Sequence, residues 1–233
     1  MSHIKHDVIH AVTHADRGFL FTIKELVINP GRVAREYVQG KRKKYFNPFS
    51  FLIIIIGILL IANSIFKPYS RPGESVSKTP PSTMRSEQGR KKYAEILERS
   101  RNFGEFMNKR TNLVLFVSTP FIAAVLWLIF RRRGLNYAEH LAAMAYVNGF
   151  LNLLTSFIYG PLLYFSRGTY VFTGIYAMMM LSHVFYVGYL YHGFLGYTHG
   201  RDYWKTIGGG LLAILAWAAL SMGVGMYYIR YGF

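Results

Sequence analysis

Four histidines near the start of the chain, His3, His6, His10 and His14, stand three, four and four residues apart. On a helix that spacing lines one face, and an i,i+4 imidazole pair is able to share Zn²⁺ or Cu²⁺. Four collinear rings make a ladder and not a tetrahedron, however, and Ile4, Val8, Ala11, Val12 and Ala15 form an apolar stripe beside them. The pattern favours a solvated polar face, and no metal or other cofactor is expected. A weaker reading joins these histidines to His192 or His199 as the centre of a membrane metalloprotein.

A second candidate is Glu139–His140, an acid and a base side by side. Adjacent helical residues point about 100° apart, so the two do not converge on one atom. Glu139 fits better as the anion of a helix N-terminus. Asn148 and Asn152 are four apart on one face of an apolar run, and His183 lies in the middle of the next. A polar cluster of these three would serve either as interhelical glue or as a solute path. The sequence has no Walker A loop, dinucleotide fingerprint, H-E-x-x-H or G-x-S-x-G, which points away from an enzyme. Cysteine is absent, so disulfides and thiolate sites are excluded.

The elements that must position these groups are membrane spans. Of the 233 residues 52% are apolar, and the 27 Lys+Arg and 11 Asp+Glu are gathered into blocks between nearly uncharged runs. A span needs about 20 mostly apolar residues. Five runs qualify, at about 49–66, 111–130, 138–165, 170–191 and 206–229. The third is overlong, and Pro161 is expected to kink or end it. The turn at 166–169 is so short that the third and fourth spans are expected to pair as a hairpin. The fold class is therefore all-α: a polytopic bundle of about five spans plus amphipathic interfacial helices. Residues 1–47 form a basic, amphipathic N-terminal segment, and residues 48–233 form the transmembrane domain with an extramembrane loop at 67–110. The first span, preceded by about 45 mostly polar residues, is expected to act as an uncleaved signal-anchor.

Within these regions, Asn29–Gly40 reads as a short helix resting on the headgroups, with Asn29 as its cap and Val33 and Tyr37 as its apolar stripe. Tyr93, Ile96, Leu97, Phe103, Phe106 and Met107 mark a second amphipathic helix in the loop. Gly209, Ala213, Ala216, Ala219 and Gly223 form a small-residue stripe that permits close packing of the last span.

Basic residues flank the first two spans, with Lys41, Arg42, Lys43 and Lys44 before one and Arg131, Arg132 and Arg133 after the other. Together with Arg32 and Arg35 they form a basic face suited to anionic lipid or a membrane protein partner, and no nucleic acid is expected. The positive-inside rule makes that face cytoplasmic, with the C-terminus outside. The loop 67–110 carries 11 Lys+Arg against nine in residues 1–47, but long loops weigh less.

Residues 17–53, RGFLFTIKELVINPGRVAREYVQGKRKKYFNPFSFLI, are similar to the opening of a bacterial membrane family known only as domain of unknown function 3667. The Pro30-Gly31 turn, the E-Y-V-Q-G-K-R run at 36–42 and the aromatic-Asn-Pro-Phe lead-in to the first span carry the match. The N-Y-A-E-H-L segment at 136–141 resembles the family's second recurring block. Many relatives begin with a Cys-rich, zinc-ribbon-like segment, which this chain does not have. The resemblance implies a multi-pass protein of the bacterial inner membrane and brings no activity with it. The expected function is non-enzymatic organisation of lipid or a protein partner, with a small transport component as the alternative. Reporter fusions test the orientation: phosphatase activity is expected after Phe233 and in the 67–110 loop, and fluorescence of a cytoplasmic reporter after Arg133. Labelling of an engineered Cys at position 132 from the periplasm would reverse the assignment.

Overall fold

The computed structural model describes residues 18–66 and 86–231, apart from the side chains of residues 104, 107–109, 111 and 112. Every regular element among them is helical. Helix α1 covers 18–28, α2 Pro30–Val38, α3 Pro48–Phe66 and α4 Glu87–Lys109. Helix α5 covers Thr111–Phe130 and ends in a 3₁₀ turn, Arg131–Arg133. Helix α6 covers Tyr137–Leu154, α7 Gly160–Phe165, α8 Tyr170–Phe194 and α9 Asp202–Tyr231. Five stretches are long and apolar enough to cross a bilayer: Pro48–Phe66, Leu113–Arg133, Tyr137–Phe165, Tyr170–Phe194 and Asp202–Tyr231. The chain is an all-α, multi-pass membrane bundle.

Helix α6 is its centre, with His140 and the whole run from Ala142 to Asn152 buried. It packs on α3 at one side and α5 at the other, while α9 packs on α5 and α8. Close approach depends on missing side chains. At Gly149 a Cβ would lie 2.6 Å from the Phe51 ring, and at Gly209 it would lie 2.7 Å from that of Phe130. The small-residue stripe of α9 is thus used at Gly209 and Ala213, but Ala219 and Gly223 face outward. Gly225, which the stripe omits, is the one that takes Phe103 of α4.

Two sequence expectations take a more particular form. The third span continues as helix past Pro161 to Phe165. A π-turn at Thr155–Tyr159 precedes the proline, in which the Gly160 N–H donates to the Thr155 carbonyl. That wider turn gives the chain room to continue past a residue with no N–H. The third and fourth spans pair as expected, with Phe150 stacked on Tyr186 at 4.7 Å, although α8 packs chiefly against α9 and α2.

Helix α2 is likewise more than a helix on the headgroups. Pro30, Gly31, Val33 and Ala34 are buried against the bundle, and its Asn29 makes no side-chain cap. A Cβ on Gly31 would lie 2.5 Å from Gly193 Cα and 2.6 Å from the Leu190 carbonyl oxygen. The two backbones are in contact, and neither can step back without unpacking α2. Gly57 of α3 has open space at the same test. Gly31→Ala is therefore expected to cost about 1–3 kcal/mol, read as a fall in melting temperature in detergent. Gly57→Ala should leave it unchanged or raise it.

Candidate functional site

The basic residues that flank the first two spans gather at one end of the bundle, and a helical hairpin holds them there. Helix α1 runs from the start of α3 to α8, and α2 returns from α8 to α6. Along the way Phe19 packs on Phe46 and Phe51, and Tyr37 on Tyr146. The last carbonyls of α1 have no partner within the helix. The Tyr186 hydroxyl donates to the Leu26 carbonyl at 2.9 Å and that of Tyr189 to the Ile28 carbonyl at 2.8 Å. The peptide of Phe46 is gripped from both sides. Its N–H donates to Thr22 Oγ1 at 2.8 Å, and its carbonyl accepts from the Tyr146 hydroxyl at 2.6 Å.

Asn47 then caps α3, its Oδ1 accepting from the N–H groups of Phe49 and Ser50. Its amide donates to the Tyr37 hydroxyl at 3.1 Å, which ties α3 to α2. Gly40 ends the hairpin in the left-handed region at φ 101°. Beyond it, Glu36 accepts from Lys41 at 3.0 Å, Lys44 at 2.8 Å and the Tyr45 hydroxyl at 2.7 Å. The Lys44 contact first, then Tyr45 and Lys41, push the Glu36 carboxyl down from 4.5 to about 2. Glu36 in turn raises Lys44.

The basic residues thus divide by what they touch. Lys41 and Lys44 serve the turn, and Arg32 pairs with Glu25 at 3.3 Å while half-exposed. Arg42 lies over the Tyr37 ring, and Lys43 is exposed. Arg35 lies flat on Gly196, where any Cβ would overlap its guanidinium. Arg131, Arg132 and Arg133 are exposed on the turn after α5, and Arg133 stacks 3.9 Å over the Tyr197 ring. Residues distant in sequence therefore share one surface at the α8–α9 turn.

Two recesses open on that surface. One of about 330 Å³ is lined by Arg32, Arg35, Asn29, Tyr189, His192 and Tyr203. In it the His192 ring stacks on that of Tyr203 at 3.6 Å and 2°, with Nε2 3.2 Å from the His199 carbonyl oxygen. The other, of about 390 Å³, has Arg42, Asn47, Asn136 and Glu139 in its wall. Each has the chemistry to hold an anion or a zwitterion at headgroup level.

Glu139 completes a capping box with Asn136, its carboxylate accepting from the Asn136 N–H at 2.7 Å. His140 turns the other way, fully buried against Tyr191 and Phe194. Both its ring nitrogens and the Tyr191 hydroxyl are buried without a hydrogen-bond partner among the described residues. The intramembrane cluster does not assemble. Asn148 donates to Thr119 of α5 at 2.7 Å, Asn152 to the Asn148 carbonyl, and the His183 ring bonds the Met179 carbonyl of its own helix. No hydrogen bond joins His183 to either asparagine. His3, His6, His10 and His14 lie outside the described residues. Among the described residues no group of three His, Cys, Asp or Glu is placed to hold a metal.

Sequence reasoning missed α1, the recess at His192 and the two tyrosines. The signal was present in Tyr186 and Tyr189, three apart in an apolar span, since a tyrosine hydroxyl in a membrane span usually finds a partner.

Residues 16–60 match the family described as "Protein of unknown function (DUF3667)", the one that residues 17–53 resemble. The match spans α1, α2 and most of α3, which is the hairpin and the helix it caps. No curated protein and no solved structure matches the chain.

The depressed Glu36 carboxyl fixes the sign of one pH effect. Its ionised form is favoured in the fold, so the stability it supplies is complete above about pH 4.5 and is lost as pH falls through about 2. Melting in detergent should show that acid loss in the native protein. Glu36→Gln should be less stable at neutral pH and show a smaller change over the same window.

Proposed function

We propose that this is a non-enzymatic protein of the bacterial inner membrane, with its N-terminus in the cytoplasm and C-terminus outside. In this reading its basic end gathers anionic phospholipid. The supporting observation is the meeting of three separate basic segments on one surface: the hairpin with its 41–44 turn, Arg131–Arg133, and the α8–α9 turn with Arg201 and Lys205. Glu36 and Glu25 neutralise part of the first, while Arg131, Arg132 and Lys43 stay exposed.

Exposed basic residues at the cytoplasmic leaflet are worth about 1 kcal/mol each before screening. The outer face of α1 supports the same reading, since Leu20, Val27 and Ile28 are exposed beside Lys24. That is the composition of a helix lying in the interface. The alternative of a solute path between the third and fourth spans has less support, because Asn148, Asn152 and His183 each have a local partner.

The test is the lipid shell of the purified protein. Extracted from its membrane in polymer-bounded discs, it should be enriched in anionic phospholipid over the surrounding bilayer. Replacing Lys43, Arg131 and Arg132 together with Gln should reduce that enrichment, and high salt should do the same. An unbiased shell would overturn the proposal, and a protein recovered in stoichiometric amount in place of anionic lipid would reassign the face to a partner.

A further inference from the structure

We propose that one anionic phospholipid binds stoichiometrically where α2 crosses α8, with its phosphate in the recess at Arg32 and Arg35 and an acyl chain between α6 and α8. This rests on the reading of the basic end as a lipid surface and narrows it to a single site.

The headgroup recess matches a phosphodiester in charge. It holds two guanidinium groups, and the nearest carboxylate, Glu25, takes one arm of Arg32 at 3.3 Å. The balance of one positive charge suits the single negative charge of the ligand. Asn29 lines the same recess, and its side-chain amide carries N–H groups able to donate to a phosphate. The stacked rings of His192 and Tyr203 form a flat wall.

Deeper along α8 lies a groove of about 300 Å³, lined by Leu151, Leu154, Ser182, Phe185, Tyr186 and Tyr189. Three of these carry hydroxyls, yet all three are occupied. Ser182 donates to the Met179 carbonyl at 2.7 Å, and Tyr186 and Tyr189 are bonded to the end of α1. The groove therefore presents hydrocarbon. Tyr189 lines both spaces, so recess and groove adjoin. From His192 to Ser182 is ten residues of helix, about 15 Å. That is half of a hydrocarbon core of about 30 Å, the depth of one leaflet. A polar recess at the rim and an apolar groove one leaflet deep describe an amphiphile with a charged head.

The experiment uses the full chain, delipidated in detergent. It is titrated with dioleoylphosphatidylglycerol, dioleoylphosphatidylcholine or glycerol 3-phosphate while native mass spectrometry counts bound lipid and melting temperature is followed. One phosphatidylglycerol per chain is expected, with phosphatidylcholine weaker and glycerol 3-phosphate giving no protection. Arg32→Gln should weaken phosphatidylglycerol about fivefold, the worth of one basic residue, and narrow its advantage over phosphatidylcholine. Ser182→Phe, which fills the groove, should weaken both lipids and leave their ratio unchanged. Should that variant fold poorly, Phe185→Ala alters the same wall from an exposed position. Equal protection by glycerol 3-phosphate would overturn the proposal in favour of a soluble phosphate ligand. So would lipid binding that both classes of variant leave unchanged. Many phosphatidylglycerols bound with no saturable first site would also overturn it, while leaving the lipid-gathering surface intact. Failure of the broader reading would look different, as a shell with no anionic bias at all.

Discussion

The backbones of α2 and α8 touch at Gly31 and Gly193, and the arrangement of the basic end follows from that contact. With side chains at that crossing α2 would stand away from α8, Arg35 would lift off Gly196, and the recess at His192 would have no floor. Because α2 is fixed on α8, its other end presents Tyr37 to Asn47 and Glu36 to the 41–45 turn. The N-terminal hairpin thus spans the bundle from α8 through α6 to α3.

The residues that carry the family resemblance have structural places in this fold. Gly31 is the contact, Glu36 holds the turn, Gly40 supplies its left-handed residue, and Asn47 caps α3 while tying it to Tyr37. They are a local architecture written in hydrogen bonds and one backbone contact.

The spans and their class were legible because membrane solvation imposes a simple rule on composition, and the runs at 49–66 and 170–191 fall within a few residues of α3 and α8. The basic flanks were legible for the same reason. What the pattern did not reveal were the partners. Asn148 could bond any neighbour at its depth, and periodicity alone does not say that α5, through Thr119, is that neighbour. Nor does it say that Val33 faces protein when a buried stripe and a membrane-facing stripe look alike. His140 is the sharpest case. Its neighbour Glu139 reads correctly as a cap, while a histidine sealed against Phe194 and Tyr191 without a partner among the described residues is opposite to what its polarity suggests.

Helix α9 carries a consequence of its own. Its aromatic anchors, Trp204 and Tyr227, are 23 residues apart, about 35 Å along the axis, against a hydrocarbon core of about 30 Å. A modest tilt reconciles the two. The contact between Phe103 and Gly225 then falls at the boundary of the opposite leaflet. Helix α4 meets α9 there, and Arg99 also donates to the Arg230 carbonyl at 3.2 Å. The hairpin holds α8 at one end of the bundle and α4 holds α9 at the other, so the distance between the two contacts is set by protein. A bilayer of different thickness must adapt to the bundle, and lipids of matching length will be favoured at its edge.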